Sequence, residues 1–483
     1  MPVKSIIKKI SGDRFTPFLL AKKLQAKAVL ESASFSAGKD RYSILMIDEA
    51  FRIVQKSYGA VRISVEDGRQ VETKLEGDIL DNLAAIAKQH KSVLINADKK
   101  SNGKMQSKYL PLPGAGLGYL GYEFCARCDT IMLSDQKDNL AIPEGCFIIG
   151  HMYIIFDHFT EMMYLVALNY KESKIDLENA IENIQKRISD LDFTYLSEPK
   201  KSTNSEIEVI TDIQKTHDEY VEKVVKLQKH IIAGDIIQAV PSRRLQIKDS
   251  TSALEVYRRL RQKNPSPYMF YLDFDDFQLV GASPESLVRV RKGVATIHPI
   301  AGTRRRGKNL AEDEALSTEL INDPKEKAEH LMLVDLARND LGRVCDSGSI
   351  KVTKLMVCEK YSTVIHLVSE VTGKTVPSDT DVAVKILRSS FPAGTVSGAP
   401  KISAIEILSG LEKEKRNFYA GSVGYLSVDG DLDFCIAIRC ALKQKNVWTL
   451  QAGGGITHAS IPEREWIETC EKIDAMKTIF LSK

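Results

Sequence analysis

The chain has 483 residues, 43% hydrophobic and 27% charged, with 67 Lys plus Arg against 64 Asp plus Glu and a formal net charge of +3. That is the mixture of an ordinary globular protein with material for about two or three domains, and its near balance of charge argues against nonspecific nucleic-acid or membrane binding as its main business. No stretch reaches the roughly 20 apolar residues of a membrane span, and "MPVKSIIKKISGDRF" at the N-terminus lacks the apolar core of a signal peptide, so a cytoplasmic protein is expected.

Short β-rich runs come first: "YSILMI" (42–47), "AVRISVE" (60–66), "SVLINA" (92–97), "CFIIGHMYIIFD" (146–157) and "MMYLVALNY" (162–170). Their β-branched and aromatic content predicts strands, with the last two pairing as neighbours. Eight cysteines are too sparse for a disulfide scaffold. Cys125 and Cys128 form a CxxC, but no second pair stands at zinc-ligand spacing, so they read as scattered thiols. A helix over "DLENAIENIQKRISDL" closes this region. The polar, aperiodic "SEPKKSTNSEIEV" (197–209) then reads as a linker between regions 1–205 and 210–483.

Beyond it, "HDEYVEKVVKLQKHIIAGD" places Val221, Val224, Leu227 and Ile231 on one helical face and stops at Gly234. A strand-like run over 236–247 follows, then a helix from about Ala253, capped by Ser252 and ended by Asn264-Pro265. Further strand-like runs stand at 268–274, 277–281, 285–291 and 294–300, and later in "YAGSVGYLSV", "DFCIAIRCAL" and "VWTLQAGGGI". Many strands are joined by short turns rather than helical crossovers. The expected class is therefore α+β, mainly antiparallel sheets packed as a sandwich with surrounding helices.

Two helices carry carboxylates in pairs. In "DPKEKAEHLMLVDLARND" (323–340), Asp323 stands at an N-cap, Pro324 at the first helical position and Glu326 at the third, a capping-box pattern. Leu331, Leu333, Val334, Leu336 and Ala337 supply a wide apolar face, predicting a well-buried helix. Yet Glu326 and Glu329 are one turn apart, and like charges at that spacing repel unless a cation separates them. The helix from Pro462 repeats the spacing in Glu468 and Glu471, with Trp466, Ile467, Ile473 and Met476 as apolar contacts. Face to face, the pairs would offer Mg²⁺ a hard oxygen shell; either pair alone is equally a solvated helix face. Just upstream, Gly453, Gly454 and Gly455 follow a strand, either as a tight turn or as backbone N–H groups open to an anion. Arg439, in apolar "CIAIRCAL", wants a carboxylate or phosphate partner.

Five strings in order, "PIAGTRRRG" (299–307), "AEHLMLVDLARNDLGRV" (328–344), "FPAGTVSGAPK" (391–401), "YAGSVGYL" (419–426) and "QAGGGITHASIPEREWIETCEK" (451–472), resemble the chorismate-utilising enzymes, and among them most closely the anthranilate synthase large subunits. The resemblance implies Mg²⁺ bridging the glutamates and the ring carboxylate of chorismate, with Glu329 and Glu471 as principal ligands and Glu326 and Glu468 as direct or water-mediated ones. It implies chorismate contacts at Gly302, Thr303, Tyr419, Arg439, Gly453, Gly454 and Gly455, with Thr303 also at the reacting centre. Glu285 in "GASPESL" is implied as the acid that protonates the leaving C4 hydroxyl; by residue type alone it is equally a glutamate following Pro284. His366 in "STVIHLVSEV" is a core histidine by pattern alone, and the resemblance implies a part in elimination and aromatisation.

Relatives that hydrate chorismate carry a lysine base where this chain has Gln238, and those making aminodeoxychorismate carry one where it has Ala301. Both departures favour anthranilate, leaving the folate-pathway aminodeoxychorismate reaction as the alternative. None of the eight cysteines has the glycine-rich setting of a glutaminase nucleophile, so a separate glutamine amidotransferase subunit, in a heterotetramer, is expected. The resemblance also implies feedback inhibition by tryptophan bound at "LES" (30–32) and "NPSPYMF" (264–270), through Ser32, Pro267, Tyr268 and Met269. The second string is equally a helix-to-strand turn.

Overall fold

The computed structural model describes residues 5–32, 41–66, 68–97, 110–190, 207–360 and 364–481, with the side chains of 91–97 left aside. Strands of one sheet network run through the whole chain, and every ladder between them is antiparallel. The expected neighbours Gly145–Asp157 and Met162–Leu168 do pair, Met152 opposite Ala167 and Asp157 opposite Met162. Both faces of the central strands are covered. Tyr153 and Ile155 enter one hydrophobic cluster while Met152, Ile154 and Phe156 enter another, and Phe270 and Leu272 alternate with Met269 and Tyr271 in the same way. Period-2 alternation between two apolar cores is the signature of a strand buried on both sides, and it gives the α+β sandwich its layers.

The regions before and after the linker are joined by hydrogen bonds. Ala28–Glu31 lies along Tyr268–Asp273, with Glu31 opposite Met269. Gly116–Leu120 pairs with Ser422–Leu426. Most of the linker string falls outside the described residues; Glu208–Val209 is a two-residue strand on Ile247–Lys248.

Three local expectations change. "SVLINA" is the end of the helix Ile79–Ala97, because the apolar face of Leu80, Leu83, Ala84 and Ala87 starts a helix that propagates through the β-branched residues. The run 236–247 is cut at Val240-Pro241 into Gln238–Ala239, paired with Gly398–Ala399, and Ser242–Lys248, paired with Val447–Gly453. Proline removes a donor where a continuous strand would need one. Arg439 is not in a strand. Leu432–Ile436 and Cys440–Gln444 are separate strands with different partners, and Arg439 sits at the break with φ of 51°, in the left-handed region.

Candidate active site

The glycine turn and the C-terminal helix form one unit. Val447–Gly453 runs into Gly453–Gly455, and the helix Pro462–Leu481 folds back over that strand. Ile473, Met476 and Phe480 anchor the helix's far half in the core, Phe480 edge-on to Trp448 with ring centroids 5.0 Å apart. Its near half is thereby fixed against the glycines. A Cβ on Gly453 would stand 2.5 Å from the Pro241 carbonyl oxygen, so that position requires glycine, and one on Gly455 would stand 2.4 Å from Gln238 Nε2, the movable end of a side chain. Lys472 Nζ donates to the Gly453 carbonyl at 2.9 Å and to Glu468 Oε1 at 2.6 Å.

The other wall comes from Ile300–Arg305, which lies on Val364–Lys374 with Thr303 opposite His366. His366 Nδ1 is 3.1 Å from both the Gly302 carbonyl oxygen and Thr303 Oγ1. A carbonyl can only accept, so Nδ1 carries the hydrogen and the basic lone pair belongs to Nε2. Burial, reinforced by Arg439, holds the imidazole below its ordinary pKa and therefore neutral. Gly302 has φ of 64°, and a Cβ there would come within 2.9 Å of Glu326 Oε2.

Between these walls stand Glu285, Tyr419 and Arg439. Loss of water pushes the Glu285 carboxyl up to about 7, against the Thr395 hydroxyl that donates to Oε1 at 2.8 Å and the charge of Lys472. Arg439 lies within electrostatic reach of Tyr419, Glu468 and His366, which ties the two walls to a common space. Tyr419 is buried with its phenol pushed up to about 12, so it is a hydrogen-bond donor at any working pH.

The carboxylates depart from expectation. The Asp323 cap forms, its Oδ1 accepting from the N–H groups of Lys325 and Glu326 at 2.9 and 3.2 Å. The reciprocal arm of the capping box does not: the Asp323 N–H bonds back to Glu319, and Glu326 instead accepts from Arg304 Nη1 at 3.2 Å. The helix Pro324–Gly342 buries a narrow stripe, His330, Val334, Ala337, Asp340 and Leu341, and leaves Leu331 48% exposed. Among the described residues no group of three or more His, Cys, Asp or Glu side chains converges tightly enough to hold a metal ion. The physical reason is that three of the four glutamates already face a cation: Arg304 for Glu326, Lys325 for Glu329 at 3.6 Å, Lys472 for Glu468. Glu471 is exposed to solvent, whereas Glu465, one turn before Glu468, reaches the glycines. A Cβ on Gly454 would meet Glu465 Oε2 at 3.4 Å and Glu468 Oε1 at 3.7 Å. Burial raises the pKa of Glu465, with Glu468 adding to it and Lys325 of the other glutamate helix opposing it. Beside Gly454 the structure thus brings together Glu465 and Glu468, with Glu468 itself half-exposed, and does not bring Glu471 there.

A family description, chorismate binding enzyme, matches residues 53–478. The chain belongs to the chorismate-binding enzymes. Anthranilate synthase component 1 of Spirochaeta aurantia is 49% identical over 475 residues, covering 98% of this chain and 95% of the relative. The protein of the same name from Pseudomonas aeruginosa is 39% identical, covering 93% and 89%. Among solved structures, anthranilate synthase component I from Streptococcus pneumoniae superposes with a TM-score of 0.75 at 33% identity, covering 90% of this chain and 92% of that one. The menaquinone-specific isochorismate synthase of Escherichia coli shares the fold, with a TM-score of 0.72 at 19% identity over 99% and 94% of the two chains.

In this chorismate-binding enzyme a second cavity, of about 370 Å³, lies away from the glycine turn and is lined by Ser32, Pro267, Tyr268 and Met269 together with Arg41, Arg289 and Asp433. The Tyr268 hydroxyl donates to Asp433 Oδ1 at 3.0 Å. The CxxC is a single helical turn of free thiols, and burial pushes Cys128 up to about 12. No described helix is long and apolar enough to cross a membrane. Site residues that the sequence reading did not name are Thr395, Lys472, Glu465 and Arg304. Lys472 carried a legible signal, four residues after Glu468 on one helix face. Glu465 carried the same three-residue spacing, and Thr395 and Arg304 depend on pairing between distant segments.

Proposed function

We propose that the chain is the chorismate-converting large component of an anthranilate synthase, joining chorismate and ammonia to give anthranilate and pyruvate. The observation that carries the choice of nucleophile is Gln238, whose amide lies directly on Gly455. A neutral amide cannot deprotonate water, and Ala301, opposite Leu367, offers no amine for covalent attack. Ammonia is left as the direct nucleophile at C2.

The chain's own groups divide the work. Arg439 and the N–H groups of Gly453, Gly454 and Gly455 neutralise the enolpyruvyl carboxylate, while Tyr419 and Thr303 hold the ring. Glu285, protonated near neutrality, delivers its proton to the C4 hydroxyl, which leaves as water while ammonia bonds to C2. His366 Nε2 then takes the C2 proton as the C3–O bond breaks and the ring becomes aromatic, and the enolpyruvate released takes up a proton at its methylene carbon to give pyruvate. The donor chemistry of the two glutamate pairs fits Mg²⁺, with Glu329 and Glu468 as ligands and Glu326 and Glu465 behind them, in place of the lysine and arginine charges that balance them here. Bound there, Mg²⁺ would supply positive charge to the ring carboxylate.

Residues 210–483 form the catalytic region and 1–205 the regulatory one, with tryptophan in the second cavity. A glutamine amidotransferase subunit in a cytoplasmic heterotetramer supplies the ammonia. The test is direct. The purified chain with chorismate, Mg²⁺ and ammonium at alkaline pH should produce anthranilate fluorescence and should fail with glutamine alone. Aminodeoxychorismate as the product, or glutamine-dependent activity of the single chain, would overturn this reading.

A further inference from the structure

Tyr220, on the helix Ile213–Ala233, is fully buried, yet its hydroxyl has no hydrogen-bond partner among the described residues. A buried polar group in that state costs stability unless something absent from the bare chain satisfies it. The hydroxyl points at the glycine turn. A Cβ built on Gly454 would meet Tyr220 Oη and Glu465 Oε2 at 3.4 Å each and Glu468 Oε1 at 3.7 Å, all ordinary contact distances. Three oxygens therefore bound one small space beside a residue with no side chain, and two belong to like-charged carboxylates. Trp466 packs 6.0 Å from the Tyr220 ring, and the Arg243 guanidinium lies 4.0 Å over Trp466 while donating to Thr469 Oγ1 at 2.6 Å.

We propose that Tyr220 is a positioning residue: its hydroxyl donates to a single water at Gly454, and that water donates one hydrogen bond to Glu465 and one to Glu468. Water matches this donor set. The phenol supplies a hydrogen, the two carboxylates can only accept, and a water has one lone pair and two hydrogens to complete the set. A bare cation would leave the phenol hydrogen without an acceptor. The bridge keeps two carboxylates at a fixed separation that their repulsion would otherwise widen, and so presets one half of the metal-binding shell. This rests on the Mg²⁺ reading above.

The test uses the full chain with Tyr220→Phe and Gly454→Ala. The first removes the donor; the second places a methyl in the water's space without a clash. Each should raise the Mg²⁺ concentration for half-maximal stabilisation in thermal unfolding by about 5- to 20-fold, the range one lost hydrogen bond gives. The double variant should be no worse than either single one, because both delete the same water. The KM for chorismate at saturating Mg²⁺ should hold in Tyr220→Phe, which a general loosening of the site would not allow. If Tyr220→Phe melts higher than wild type with and without Mg²⁺ and keeps the wild-type Mg²⁺ midpoint, the hydroxyl is a packing defect and the proposal fails. Anthranilate formation by the wild type separates the outcomes: activity with Mg²⁺ alongside an indifferent Tyr220→Phe overturns the water bridge alone.

Discussion

Glu285 shows how much one residue's setting decides. A carboxylic acid can protonate a departing hydroxyl only while it holds its proton, and burial near Thr395 lifts it to about 7. The folded chain binds one more proton than the unfolded chain between the ordinary glutamate range and about pH 7. Stability from this group therefore falls as pH rises through that window and stays low above it. Three outcomes follow. Turnover measured at a fixed concentration of NH₃, rather than of total ammonium, should decline above pH 7. Glu285→Gln should lose about 10²- to 10⁴-fold in kcat. The same variant should melt higher than wild type at pH 8 by about 1–3 kcal/mol of stability, and by much less at pH 4. A variant destabilised at pH 8 would mean that the carboxylate is the favoured native form and Glu285 is not the acid. The sequence alone could place Glu285 by resemblance. It could not show the shift, because the shift comes from burial by segments distant in sequence, and Thr395 and Lys472, which oppose it, lie 110 and 187 positions away along the chain.

At the scale of elements, the helices were the legible part. The caps at Ser252 and Asp323 accept from the expected N–H groups, and Gly234 ends its helix with φ of 82°. Such signals are local and survive any tertiary context. What the sequence hid was rotation about a helix axis. Glu465, Glu468 and Glu471 are spaced alike, so periodicity offers two pairs and only packing chooses between them. Ile473, Met476 and Phe480 seat the C-terminal helix in the core with Glu465 and Glu468 toward Gly454 and Glu471 toward solvent. The break at Arg439 was hidden for a similar reason: "CIAIRCAL" is apolar on both sides of it because both flanking strands are core strands. Gln substitutions separate the pairs. Glu329→Gln, Glu468→Gln and Glu465→Gln should each cut Mg²⁺-supported turnover, the first two by orders of magnitude, whereas Glu471→Gln should stay within a factor of about two of wild type. A Glu471→Gln as impaired as Glu329→Gln would show that the helix turns differently when substrate is bound.

Across the whole molecule, the second cavity and the active site share strands. Ser286–Arg291 presents Arg289 and Arg291 to the cavity and begins beside Glu285. Ser422–Leu426 presents Val423, Gly424 and Tyr425 and starts three residues after Tyr419. Leu432–Ile436 presents Asp433 and Cys435 and leads to Arg439 three residues later. Ser32 and the strand Ala28–Glu31 close the cavity from the first region, hydrogen-bonded to Tyr268–Asp273 of the second. A ligand filling about 370 Å³ there would press on three strands whose ends carry the acid, the phenol and the guanidinium. Packed strands transmit such a change as a small rigid shift because close-packed cores do not deform gradually. The cavity suits an amino acid with a large aromatic side chain: Pro267 and Tyr268 supply apolar wall, and arginines and carboxylates line it within reach of the two charged ends. Tryptophan should therefore inhibit anthranilate formation. Ser32→Leu, which puts bulk at the cavity wall, should raise the inhibitory concentration at least tenfold while leaving uninhibited kcat within about a factor of two, as expected when coupling rather than catalysis is lost. Reciprocity supplies the sharper measurement, since saturating chorismate must weaken tryptophan binding by the same factor that tryptophan weakens chorismate. A wild-type chain indifferent to millimolar tryptophan would leave the cavity without its ligand and the chemistry at the glycine turn untouched.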